Sequence, residues 1–148
     1  MTIENMTIEN MTIDDYDELY QMWSNRHGMT LRAIDDSQDG IEKFLQRNPQ
    51  TNFVCRMHGK IIGGILCGHD GRKGCIYHAV VQEQYRGRGI GKILVERVMT
   101  SLKKERITKI GIVVNADNLS GNRFWESLGF EHFPELTYRI FPLHGGNT

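Results

Sequence analysis

The sequence predicts a mixed α/β chain of the α+β kind, with hairpin-linked strands first and a strand–loop–helix–strand crossover after them. Three observations predict it. Residues 53–57 alternate in polarity and residues 60–67 run mostly apolar, on either side of the short turn His58-Gly59-Lys60, the pattern of an antiparallel hairpin. Residues 76–81 and 108–114 are strand-like runs separated by a helix with a single apolar stripe, which calls for a right-handed crossover. Between the first run and its helix lies Gln84-Tyr85-Arg86-Gly87-Arg88-Gly89-Ile90-Gly91-Lys92, a glycine loop at a strand's carboxyl end, where ligands bind in open α/β sheets.

The elements follow in order. Residues 1–5 and 6–10 are identical, and 11–15 nearly so; a repeat this short is no solenoid, and only its last part is expected in the first strand. Asp14 or Asp15 caps a helix with Tyr16, Leu19, Tyr20 and Trp23 at helical spacing, read as core. It stops before His27-Gly28. A second helix starts after Asp35-Asp36-Ser37, shows Ile41, Phe44 and Leu45 on one face, and ends at Asn48-Pro49. Residues 68–74 form a polar hairpin loop, where His69 and Asp70 are too few for a metal site. The helix after the glycine loop buries Ile90, Leu94, Val98 and Leu102, with Lys103 and Lys104 at its C-terminal end, where cations are favourable. The dense β-branched run 108–114 is expected near the sheet centre. Asn118 caps a short helix ending at Leu128-Gly129, and residues 130–133 and 136–141 read as two closing strands.

Composition narrows the class. At 148 residues the chain is read as one domain, residues 1–148, with flexible ends at 1–5 and 145–148. Lys plus Arg and Asp plus Glu balance at 18 each, so no global basic field argues for nucleic acid. Cys55, Cys67 and Cys75 are odd in number with no C-x-x-C pair, so neither a disulfide framework nor a zinc site is expected. No apolar run approaches the roughly 18–20 residues of a membrane span, and no signal-peptide profile opens the chain. The expectation is a cytoplasmic protein without a membrane partner.

The glycine loop carries the chemistry. Arg86, Arg88 and Lys92 crowd a helix N-terminus, where the macrodipole disfavours each cation by roughly 0.3–1 kcal/mol. A bound anion reverses that sign. With Gly87, Gly89 and Gly91 leaving the amides approachable, the segment reads as a cradle for phosphate or pyrophosphate. It lacks the spacing G-x-G-x-x-G of a dinucleotide loop, and no Ser or Thr follows Lys92 as a P-loop requires. The blander reading is a glycine turn with solvated basic residues.

The pattern Arg86-x-x-Gly89-x-Gly91 resembles the acyl-CoA signature of the GNAT superfamily of N-acyltransferases. Tyr77-His78-Ala79-Val80-Val81 looks like that family's fourth strand, and residues 118–130, through Trp125 to Leu128-Gly129-Phe130, look like its late helix and exit. The resemblance covers residues 7–143 and is nearest to small stand-alone bacterial acetyltransferases. It implies a mixed, mostly antiparallel sheet with splayed central strands and helices on both faces. It also implies acetyl-CoA as co-substrate and an amine acceptor, a small molecule or a protein amine, with homodimerisation open. The implied cofactor-binding residues are Ala79, Val80, Val81, Arg86, Gly87, Arg88, Gly89, Ile90, Gly91, Lys92, Asn118 and Trp125, with no metal. The first two helices would cover the acceptor side, where His27 is either a groove residue or an exposed loop histidine.

Amide formation from a thioester needs a neutral amine, and an alkylammonium of pKa about 10.4 is only roughly one part in a thousand neutral near pH 7. The resemblance departs from the commoner family pattern at two places. Trp125 stands where many members carry a tyrosine acid, and Val113 where some carry a glutamate base. His78 and Tyr77 are the remaining catalytic candidates, and strand alternation lets only one of them face the acceptor pocket. His78 reads equally as a satisfied core histidine, and Tyr138 is a weaker candidate acid. The leading reading is direct attack of a primary amine on acetyl-CoA in a ternary complex. A non-catalytic acyl-CoA-binding or sensing module is the alternative, and an interaction domain that keeps the fold without the ligand is a third.

Overall fold

The computed structural model describes residues 5–26 and 29–147. Its sheet has five strands in sequence order, β1 (Met6–Asn10), β2 (Phe53–Met57), β3 (Lys60–His69), β4 (Gly74–Val81) and β5 (Ile110–Ile112). The pairs from β1 to β4 are antiparallel, and β4 with β5 is parallel. The fold is mixed α/β with a mostly antiparallel sheet. Among the described residues four α-helices complete it: α1 (Tyr16–Asn25), α2 (Gln38–Arg47), α3 (Ile90–Lys104) and α4 (Leu119–Ser127).

Period-two alternation gives the sheet two apolar faces. Val54, Leu66 and Val80 meet Leu19 and Trp23 of α1 and Ile41 and Leu45 of α2. Phe53, Cys55, Ile65 and Cys67 point the other way, against Ile90, Leu94, Val98 and Leu102 of α3 and Trp125 of α4. In α1, Leu19 and Trp23 lie four apart and are buried, while Tyr20 stays 39% exposed. Asp15 precedes α1 without capping it; its carboxylate accepts from the Thr12 N–H at 2.9 Å and pairs with Arg56. Ser37 does cap α2, its Oγ accepting from the Gly40 N–H at 3.1 Å. Cys55 and Cys67 are buried and Cys75 is half-buried.

Several strand expectations are corrected. β4 begins at Gly74, two residues before the expected start, because Gly74–Ile76 pairs with Ile110–Ile112. Of the run 108–114 only those three residues pair, and β5 lies at the sheet edge rather than its centre. The cause is visible in β4. Leu66 pairs with His78 and Cys67 with Ile76, so Tyr77 is an extra, unpaired residue. Such a bulge bends its strand, and β4 parts from β5 there. Residues 130–133 and 136–141 form no strands; Leu136, Ile140 and Phe141 are 71%, 76% and 83% exposed. Pro134 and Pro142 bracket that run and lack donors for a ladder. Near the end, where fraying is expected, the Asn147 side chain bonds the backbone of Ile34 and Asp35. Of the N-terminal repeat, residues 1–4 lie outside the described residues, as does His27.

Candidate active site

β4 ends at Val81, and a 3-10 turn, Glu83–Tyr85, carries the chain into the glycine loop. Arg86 Nε donates to the Val81 carbonyl at 3.0 Å and clips the loop to the strand end. Gly89 is the N-cap of α3 at φ 83°, and Gly87 sits at φ 77°, both in the left-handed region that a side chain strains. Gly91 serves a different end: a Cβ there would lie 3.1 Å from the ring of Phe124, so its bareness lets α4 approach α3. Among the described residues, no amide from Gly87 to Lys92 donates to a protein acceptor, whereas the Ile93 N–H already bonds the Gly89 carbonyl. A fan of free N–H groups at a helix start is the geometry that holds a phosphate oxygen.

The loop opens on a cleft of about 920 Å³. Its walls are Tyr77 to Val81 of β4, residues 112–115 running on from β5, the start and inner face of α4, and Arg26, Met29 and Thr30. Ala79, Val80, Val81, Arg86, Gly87, Gly89, Ile90, Gly91, Lys92, Asn118 and Trp125 all line it, together with Tyr77 and His78. Arg88 does not; its guanidinium lies 5.2 Å from the Tyr85 ring centre. Ile90 is 1% exposed, its side chain packed in the core on the α3 side of the sheet. Asn118 spends its side-chain oxygen on the Gly121 N–H at 3.1 Å. Trp125 is packed edge-on against Phe124 and Phe130.

The bulge changes the expected division between Tyr77 and His78. With Tyr77 unpaired the alternation breaks, and both side chains meet the α1–α2 side. Tyr77 stands edge-on to Phe44 of α2, ring centres 5.5 Å apart, and His78 lies 4.9 Å from Trp23 of α1. His78 Nε2 is 2.7 Å from Asp36 Oδ1, and the two side chains are 9% and 7% exposed. Tyr77 is 58% exposed as a whole residue, yet partial burial of its hydroxyl, with Cys75 and Tyr138 nearby, pushes the phenol up to about 12. It stays protonated across the neutral range. Tyr138 itself is 67% exposed on the C-terminal segment, and Val113, 63% exposed, brings no proton acceptor to the cleft.

Two residues of the site were not legible in the sequence. Arg26 lines the cleft, and its guanidinium is held below its ordinary value by burial and then by Arg86, a pairing of cations that suits an anion. Asp36 lay inside a run read only as a helix start, and nothing local marks it as a partner of His78. Among the described residues, no three His, Cys, Asp or Glu side chains gather as a metal site, and no helix is long and apolar enough to cross a membrane.

The model of a family described as "Acetyltransferase (GNAT) family" matches residues 12–130. An acetyltransferase of Yersinia pestis (strain Pestoides F) is 32% identical over 118 residues, 80% of this chain and 82% of that protein. Among solved structures the chain is similar to Ard1 from Thermoplasma volcanium, with TM-score 0.75 and 19% identity over 84% of this chain and 82% of that one. It is also similar to Arabidopsis thaliana Naa50 in complex with the bisubstrate analogue CoA-Ac-MVNAL, with TM-score 0.67 and 18% identity over 86% and 83%. At such identities the structural likeness speaks for the fold alone.

Proposed function

Because the chain belongs to the GNAT family and is an acetyl-CoA-dependent acetyltransferase, we propose that it acetylates a primary amine by direct attack, with both substrates in the one cleft. The observation that carries this reading is continuity: the free amides of the glycine loop and the buried His78 line the same cavity. A diphosphate on those amides leaves the pantetheine arm to follow residues 79–81, which have no β5 partner beyond Ile76. The Naa50 complex joins CoA and a peptide in one molecule, which supports side-by-side binding here.

In the proposed reaction His78 takes a proton from the bound alkylammonium and passes it to solvent; the neutral nitrogen then adds to the thioester carbonyl carbon, and the proton it sheds after addition also goes to solvent. A strand amide at residues 79–81 polarises the carbonyl oxygen as charge develops on it. The C–S bond then breaks with its electron pair on sulfur, and the thiolate is protonated by solvent. Trp125 has no useful proton to give. Tyr77, with its phenol pushed up to about 12, is a hydrogen-bond donor and too weak an acid to favour full transfer to a thiolate.

Initial rates with acetyl-CoA and an alkylamine, read by thiol release, test the reading. Intersecting double-reciprocal lines and no acetylated protein are expected. Parallel lines with an acetyl group found on the chain would overturn direct attack. His78→Gln is expected to lose about 100-fold in kcat at pH 7 and to recover at pH 10, where the amine deprotonates unaided. An equal loss at both pH values would return His78 to the core.

A further inference from the structure

We infer that Asp36 is the positioning residue for His78, and that the loop carrying it is built to present one imidazole tautomer to the cleft. The inference rests on His78 as the proton acceptor proposed above.

Every polar function of Asp36 is assigned. Oδ1 lies 2.7 Å from His78 Nε2, and Oδ2 accepts from the Arg32 N–H at 2.6 Å. Its carbonyl accepts from the Tyr16 hydroxyl at 2.6 Å, and its own N–H donates to the Arg32 carbonyl at 3.0 Å. The loop is fastened from other sides as well. Asn147 Oδ1 accepts from the Ile34 and Asp35 N–H groups at 3.0 and 3.1 Å, and its Nδ2 donates to Asp35 Oδ2 at 2.7 Å. Gly40 lets the loop lie on α2, since a Cβ there would come within 2.3 Å of the Ile34 carbonyl oxygen. A buried histidine that only fills space needs one partner; this one has a carboxylate whose own position is held from α1 and from within its loop, and that loop is tied to Asn147.

The consequence is a fixed tautomer. The Arg32 amide can only donate, so Oδ2 is committed as an acceptor and Oδ1 receives the Nε2–H of the ring. Nδ1 then keeps its lone pair. Nδ1 bonds no described residue, and no buried side-chain nitrogen among them lacks a partner, so Nδ1 is the ring nitrogen open to the cleft that His78 lines. Trp23, tilted 48° to the imidazole at 4.9 Å, holds the ring plane. Besides Asp36, the ionisable groups around this pair are Tyr16 of α1, whose hydroxyl bonds the Asp36 carbonyl, and Tyr77 and Arg26, which line the same cleft. Asp36 is the one carboxylate among the described residues that bonds the ring.

Asp36→Asn separates positioning from mere packing. The Arg32 amide keeps the new oxygen, so the amide NH₂ faces Nε2, which must then accept, and the ring proton moves to Nδ1. In long-range 15N NMR of the whole chain, the parent is expected to show protonated Nε2 and Asp36→Asn protonated Nδ1. With an alkylamine at pH 7, kcat is expected to fall about 100-fold while KM for acetyl-CoA holds. The loss is expected to shrink at pH 10, and also at pH 7 with a weakly basic amine already neutral there. An unchanged tautomer, or an equal loss at every pH and with both amines, would overturn the inference. Should Asp36→Asn fail to fold, Tyr16→Phe loosens the same loop and is expected to give a smaller loss with the same pH signature; a pH-independent loss counts against it. If His78→Gln keeps the parent rate at pH 7, the base reading falls and this inference with it. If His78→Gln loses rate and Asp36→Asn does not, only the assignment of Asp36 falls.

Discussion

Arg86 Nε donates to the carbonyl oxygen of Val81 across 3.0 Å, tying the first cation of the glycine loop to the last residue of β4. The same residue lines the cleft, so one guanidinium sets the loop's position and supplies its charge. Lysine keeps the charge but cannot span both duties with a planar fork. Arg86→Lys is therefore expected to raise the acetyl-CoA dissociation constant about tenfold by calorimetry. An affinity within twofold of the parent would show that the clip does not shape the cradle.

Gly89 and Gly91 fail for different reasons when substituted. Gly89 has open space around it but sits at φ 83°, so Gly89→Ala is expected to cost about 1 kcal/mol and to disturb the free amides at the start of α3. Gly91→Val instead drives a methyl into Phe124, 3.1 Å from the Cβ position, and is expected to cost about 1–3 kcal/mol of stability. Denaturant melts of Gly91→Val, Phe124→Ala and the double variant check this. Overpacking that the smaller residue relieves gives a double variant more stable than the sum of the singles; simple additivity would place the cause elsewhere.

Trp125 occupies a position whose chemistry the sequence left open, and the structure gives it a packing role. It is 8% exposed, edge-on to Phe124 and Phe130. Trp125→Phe is expected to keep kcat within about threefold, because an indole transfers no proton in this pH range. Trp125→Ala is expected to lose about 3–5 kcal/mol of stability. A collapse of kcat in a well-folded Trp125→Phe protein would restore a chemical role.

Alkaline behaviour follows from three buried or crowded groups. Burial pushes the Cys55 thiol up to about 11 and Cys67 to about 12, and Tyr77 also rises to about 12. In each case the folded chain holds its proton more tightly than the unfolded one. The stability this contributes is complete below the unfolded values, about 9 for the thiols and 10 for the phenol, and is lost as pH rises toward 11 and 12. Unfolding free energy is expected to show no loss from these groups between pH 7 and 8 and a decline above pH 9. Native-state alkylation should reach half-buried Cys75 first, with Cys55 and Cys67 protected until unfolding. Rapid labelling of Cys67 in the folded protein would contradict the burial on which the sign rests.

Much of the architecture was legible because it is locally encoded. The hairpin strand Phe53–Met57 has the bounds expected of it, although helices cover both its faces and it is not half-buried, and α3 agrees with its apolar stripe and left-handed glycine start. The loop's place at a strand end and helix start was legible for the same reason, since glycines and misplaced cations are adjacent in the chain. The failures share a different cause. The run 108–114 has strand chemistry throughout, but only Ile110–Ile112 finds a partner, because the bulge at Tyr77 turns β4 away. Residues 136–141 alternate as a strand should, yet no edge receives them.

From its residues alone the chain determined the helices, the strands up to β4, the glycine start of α3 and the family resemblance those features carry. Tertiary packing alone decided that Tyr77 and His78 share a face, that Arg88 leaves the cleft for Tyr85, and that Asp36 meets His78. Backbone preference and periodicity act within a few residues, so the sequence displays them directly. The bond between His78 and Asp36 joins groups 42 positions apart, and it exists only because α1, the loop before α2 and the bulged β4 are packed at one place.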